Sequence, residues 1–251
     1  MFSSKEKKQL LEEHIITLNQ KFPGFAYKQK NDRDLVSGTL PFCVSYNDRA
    51  IKDEYEIEIL IPDDYPNRPP TVRETKGKIP EEFHRNLDDD STLCLGAPIA
   101  VAKKFKENPG LLHFVEQQVI PYLFSYSYYK EYDELPYGEL PHGGEGILKH
   151  YREIFNISDG ISVLGLLRIL ADDAYRGHHD CPCGSGKRVR NCHGNILRDI
   201  KNHQNPDDFL YEYEQVGECI LKSNKKIPES LISANLLKKL RRENKKQKIN
   251  Y

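Results

Sequence analysis

The chain has 251 residues, 37 Lys/Arg against 38 Asp/Glu, a formal net charge of -1, and 38% hydrophobic residues. That length holds one large domain or two modest ones, and aliphatics and tyrosines recurring through the first 170 residues exclude disorder throughout. No apolar run approaches the roughly 18 residues of a membrane span, and Met1 to His14 carries no apolar signal core, so a cytoplasmic, non-membrane protein is expected.

In chain order, residues 5–21 place Leu10, Leu11, Ile15 and Leu18 on one helical face with charges on the other, and Pro23-Gly24 ends that helix. Strands are expected at Leu35–Leu40, Phe42–Tyr46, Tyr55–Ile61 and Thr71–Glu74, with the proline-rich turn Pro62–Pro70 before the last. Period-2 alternation is clearest in Tyr55–Ile61. Residues 75–110 carry few periodic apolar positions and read as a long irregular segment. Helices are expected at Leu111–Tyr129, where Pro121 kinks or splits the run, at Ile147–Phe155, at Ser162–Ala174, and again over 207–222 and 229–242. One helix followed by an antiparallel meander predicts the α+β class. The divisions expected are a main domain over 1–155, a helical connector over 156–175, a small knuckle over 176–195 and a helical, basic tail over 196–251.

The tail owes its charge to Lys238, Lys239, Arg241, Arg242, Lys245, Lys246 and Lys248 against the single acid Glu243. Such a segment serves either as a solvated helix end or as a nucleic-acid arm.

Cys181, Cys183, Cys192 and His193 supply three thiolates and one imidazole within thirteen residues. That is a four-ligand set for a tetrahedral Zn²⁺, which would replace the core a segment this short cannot build. Gly184 and Gly186 allow the chain to reverse between the two ligand pairs. Cys181-Pro-Cys183-Gly-Ser-Gly-Lys187 with Cys192-His193 resembles the SEC-C motif, a zinc-binding docking module appended to many bacterial proteins. The resemblance covers only about fifteen residues and implies no catalysis. His178 and His179 read as solvent-exposed neighbours.

A second constellation surrounds Cys94. Tyr65-Pro-Asn-Arg-Pro-Pro70 is followed by His84-Arg-Asn86, and Cys94 lies eight positions after Asn86 with Leu95 next. This resembles the ubiquitin-conjugating enzymes, in a divergent bacterial form that includes members of antiphage cyclic-oligonucleotide operons. The resemblance covers roughly residues 5–155. Arg85 stands where that family has proline, and the chain has no tryptophan after its cysteine. What the resemblance implies is a transferase that carries the C-terminus of a ubiquitin-like or other protein as a thioester on Cys94. Asn86 would steady the oxyanion and His84 would brace the loop. An activating enzyme and a protein modifier would be partners, and a nucleotidyltransferase a target. The residue types suit this chemistry, because a thiolate is both nucleophile and leaving group and a carboxamide donates without titrating.

His142, on a glycine loop, is a candidate for orienting or deprotonating the incoming amine, or a turn-stabilising surface residue. Asp88, Asp89 and Asp90 would raise the Cys94 pKa, attract an incoming lysine, or simply form solvated loop. Cys43 and Cys219 read most simply as core. The alternative function is a catalytically inactive adaptor in which the same fold and the zinc knuckle dock a protein or nucleic acid. A cysteine protease is disfavoured because His84 and Asn86 lie too close in sequence to Cys94.

Overall fold

A computed structural model describes residues 4–30, 33–80, 83, 85–86, 91–138, 143–223 and 225–233. The chain divides into two compact units, one of residues 1–96 with 100–140, the other of 97–99 with 141–251.

The first unit opens with α1 (Ser4–Lys21), whose Leu11 and Leu18 are buried. An antiparallel sheet follows in the order β1 (Ala26–Lys30), β2 (Arg33–Tyr46), β3 (Arg49–Ile61), β4 (Thr71–Glu74). The meander and the α+β class are as expected. Tyr55, Ile57, Ile59 and Ile61 on β3 all face the core while Glu54, Glu56 and Glu58 alternate outward. Each such buried side chain contributes about 1.5–3 kcal/mol over leaving it in water.

The two strands expected on either side of Pro41 are one continuous strand, with Pro41 opposite Glu54. Proline is tolerated there because β1 stops pairing with β2 at Ser37, so from that point β2 is bonded on one side only. Cys43, expected in the core, is instead exposed opposite Lys52, since the same period that buries Phe42 turns it to the outer face.

β2 and β3 are joined by Asn47 and Asp48, both at positive φ (48° and 61°), a two-residue turn whose hand matches strand twist. Asp48→Gly, which removes the Cβ from a left-handed position, is expected to stabilise the chain by about 0.5 kcal/mol, read as a higher urea midpoint by circular dichroism.

The segment expected to be irregular contains the two-residue strands β5 (Arg85–Asn86) and β6 (Thr92–Leu93) and helix α2 (Pro98–Glu107). Helix then runs through α3 (Leu111–Phe114), a wider π turn over Val115–Val119, and α4 (Ile120–Tyr132). Pro121 has no N–H to offer the Gln117 carbonyl one turn back. The helix widens rather than breaks, and Lys104 Nζ donates to that carbonyl at 2.8 Å.

The second unit is helical: α5 (Gly143–Phe155), α6 (Gly160–Ala171), α7 (Gly194–Lys201) and α8 (Pro206–Lys222). Helix α5, assigned from sequence to the 1–155 division, packs here, because its stripe Ile147, Leu148, Tyr151 and Phe155 is covered within the core built around α6 and α8. Gly144 lets α5 and α8 approach closely: a Cβ on it would lie 2.1 Å from the Gln215 carbonyl oxygen. Asn205 and Asp208 cap α8 reciprocally, and Asp159 caps α6 through the Ser162 N–H at 2.8 Å. Of the run expected to be helical over 229–242, Glu229–Leu231 is a short 3₁₀ turn and Ile232 and Ser233 are not helical; residues 234–242, and the basic tail, lie outside the described residues. Among the described residues no single helix is long and apolar enough to cross a membrane.

Candidate metal centre and candidate nucleophile

The knuckle is a short ribbon turned back on itself. The Cys181 N–H donates to the Lys187 carbonyl at 2.8 Å and the Val189 N–H to the His179 carbonyl at 2.9 Å, with Asp180 and Arg188 paired between them. The reversal runs through Gly184 (φ 74°) and Gly186 (φ 71°), positions that a side chain would strain. Val189 is buried beneath the ribbon, and Pro182 rests on Gly165 of α6, where a Cβ would come within 2.7 Å of the proline ring.

This folding brings the ligand atoms of Cys181, Cys183, Cys192 and His193 within 4.8 Å of one another. Cys183 Sγ is 3.5 Å from Cys192 Sγ, and His193 Nδ1 is 3.2 Å from both Cys181 Sγ and Cys192 Sγ. A tetrahedral ion bound at ~2.0–2.3 Å separates its ligands by about 3.4–3.8 Å, so the four atoms stand close to what one divalent ion requires. His193 Nε2 faces the Phe155 carbonyl at 3.0 Å, which makes it the donor nitrogen and leaves Nδ1 bare toward the sulfurs. The four residues can hold a metal ion.

Burial pushes the Cys181 thiol up to about 12. Cys183 goes the other way, to about 6. Its slight burial opposes that fall, but hydrogen bonds from the Ser185 side chain and backbone and from the two neighbouring thiols stabilise the thiolate. Ser185 Oγ lies 3.1 Å from Cys183 Sγ and 3.4 Å from Cys192 Sγ, a supporting contact not foreseen from sequence. His178 and His179 are exposed and stand outside the four-residue set.

In the first unit, β5 and β6 form a small hairpin in which Arg85 opposes Leu93 and Asn86 opposes Thr92. Cys94 follows β6 directly, so Asn86 sits across the ladder from the residue two before the thiol. Cys94 is half-buried. Burial raises its thiol pKa, opposed by a hydrogen bond from the Gly96 backbone. His84, His142, Asp88, Asp89 and Asp90 lie outside the described residues, as does the side chain of Asn86.

A buried carboxylate in the second unit is absent from the candidates read in the sequence. Glu212 is fully buried and accepts from Tyr151 Oη at 2.6 Å and from the Ile99 N–H at 3.0 Å. A signal for it exists: Phe209, Glu212, Tyr213, Val216 and Ile220 form the inward stripe of α8, so an acid occupies a core position of an amphipathic helix.

No family model, no curated protein and no solved structure matches the chain.

Proposed function

We propose that the first unit is a ubiquitin-conjugating-like acyl carrier and that the second unit's Cys/His set holds a structural zinc ion. The observation that carries the first half is the hairpin register that sets Asn86 across from Thr92, two residues before a partly accessible Cys94. The order of elements supports it: α1, a four-strand antiparallel meander with a proline turn before its last strand, then the hairpin and its cysteine. In the loading step the Cys94 thiolate attacks the modifier's C-terminal thioester on its activating enzyme. A sulfur–carbon bond forms to Cys94, and the activating enzyme's thiolate leaves. In the transfer step an amine attacks that carbonyl, the Cys94 thiolate departs, and the new amide nitrogen loses a proton to solvent. Asn86 supplies the carboxamide for the oxyanion in both steps. The zinc half rests on three sulfurs and one imidazole, a donor set that suits Zn²⁺ over oxygen-seeking cations.

Incubation with a candidate modifier, its activating enzyme and ATP is expected to give a thiol-sensitive adduct on the wild type. Cys94→Ser should carry a thiol-resistant ester, and Cys94→Ala nothing. Equal labelling of Cys94→Ala removes the acyl-carrier reading.

One observation favours a second reading, a non-catalytic adaptor: burial holds the Cys94 thiol above its ordinary pKa, whereas nucleophilic cysteines sit below it. Competitive alkylation separates the two. Cys94 reacting far more slowly than the exposed Cys43 even with the activating enzyme and modifier present supports the adaptor; acceleration on their addition supports the carrier.

A further inference from the structure

We infer that the outer face of the knuckle ribbon is a docking surface for the phosphate backbone of a duplex nucleic acid. Residues 176–193 contain four permanent cations, Arg176, Lys187, Arg188 and Arg190, and one acid, Asp180. All four cations are exposed.

The ribbon gathers them. Arg188 precedes a short 3₁₀ turn over Val189–Asn191, in which Val189 is buried and Arg190 exposed. The Arg190 N–H donates to the Gly177 carbonyl at 3.0 Å, and a Cβ on Gly177 would lie 3.1 Å from the Arg190 Cβ, which brings the Arg176 segment alongside. Lys187 directly precedes Arg188 and is exposed at the end of the glycine turn. The one acid is already engaged, with Arg188 Nη1 2.9 Å from Asp180 Oδ1. The nearby acids Asp172 and Asp173 are paired with Arg168 and Lys201. The surface therefore presents unneutralised positive charge. Three of its four cations are guanidinium forks, which fit phosphate oxygens bidentately.

What the face lacks identifies its occupant. Residues 176–193 contain no Phe, Tyr or Trp, and their exposed rings, His178 and His179, stand edge-on to each other (centroids 4.6 Å apart, 86° between planes), leaving no parallel ring faces on which successive unpaired bases would stack. Its apolar members Cys181 and Val189 are buried and Pro182 is packed on Gly165, so no apolar anchor is offered to a protein partner. A regular polyanion read through charge alone remains, and a duplex backbone is that ligand. Recognition would be independent of sequence. The inference does not depend on Cys94.

The test uses the full chain and fluorescein-labelled 20-base-pair DNA and RNA duplexes, with anisotropy measured against KCl. Binding that weakens log-linearly with salt is expected. Arg176→Ala, Lys187→Ala and Arg190→Ala together should lower affinity about tenfold at low salt and reduce the slope by about 2. Asp180→Asn, which frees Arg188, should tighten binding about twofold. Comparing the two duplexes tells DNA from RNA. A control neutralises the tail with Lys238→Gln, Lys239→Gln, Arg241→Gln and Arg242→Gln. Metal content and circular dichroism show that the variants are folded. The inference is overturned if the triple variant binds as the wild type does, if all binding disappears with the tail substitutions alone, or if no duplex binds. Equal capture of a polyglutamate peptide with the same sensitivity to the triple variant also overturns it, in favour of an acidic protein partner.

Discussion

Cys181→Ser is expected to abolish metal binding and unfold the knuckle. On the zinc proposal, native mass spectrometry of the wild type shows one zinc per chain, and the variant shows none. The effect is large because a structural zinc supplies on the order of 10 kcal/mol to a segment with little core of its own. Cys181 is the most consequential ligand to remove: it is the one buried sulfur of the set, and its Sγ faces His193 Nδ1 at 3.2 Å. Loss of the metal should spread to what rests on the ribbon, namely Pro182 on Gly165 and His193 against the Phe155 carbonyl. Faster amide exchange at the end of α5 and in the middle of α6 would register it. Cobalt loaded in place of zinc should give the intense visible bands of a tetrahedral sulfur-rich site. His178→Ala with His179→Ala should keep the metal. A wild-type chain without metal, or a Cys181→Ser chain that retains it in full, sinks the assignment.

Between pH 4.5 and 7 the second unit is expected to lose stability as the pH rises, through Glu212. Burial lifts its carboxyl from the ordinary 4.5 to about 7, reinforced by the charge of Asp208; the Tyr151 hydroxyl, the Ile99 N–H and the Gln204 side chain pull in the other direction without overcoming it. The native state therefore holds its proton more tightly than the unfolded chain does. That stabilisation is complete below 4.5, declines as pH rises toward 7, and is gone above it. Its full size is roughly 3 kcal/mol, since each tenfold difference in proton affinity between the two states is about 1.4 kcal/mol. Glu212→Gln, neutral at every pH and of the same shape, should remove most of this dependence. The urea midpoints of wild type and variant, followed by circular dichroism at pH 5 and pH 8, measure it. Superimposable pH profiles for the two chains would show that Glu212 is not the titrating group.

The helices and strands with strong periodicity were legible because each must hide one face, and hiding a face leaves a period in the sequence. Tyr55–Ile61 shows it at two residues and α8 at three to four. The metal set was legible for a different reason: its four ligands lie within thirteen residues, so local turns alone bring them together. Helix α2 was not legible, because its short Pro98–Glu107 run sits in a segment rich in Gly, Pro and Asp. Nor was the outward turn of Cys43, which depends on which face of the sheet the core lies against.

Composition and local pattern thus determined the α+β class, the meander and the Cys/His ligand set, all of which are satisfied by neighbouring stretches of chain. Only tertiary structure decided that α5 packs with α6 and α8, that Glu212 is sealed in with Tyr151 and the Ile99 N–H, and that His193 presents Nδ1 while Phe155 holds Nε2. These depend on partners 38 to 113 residues apart, which no short-range period can encode.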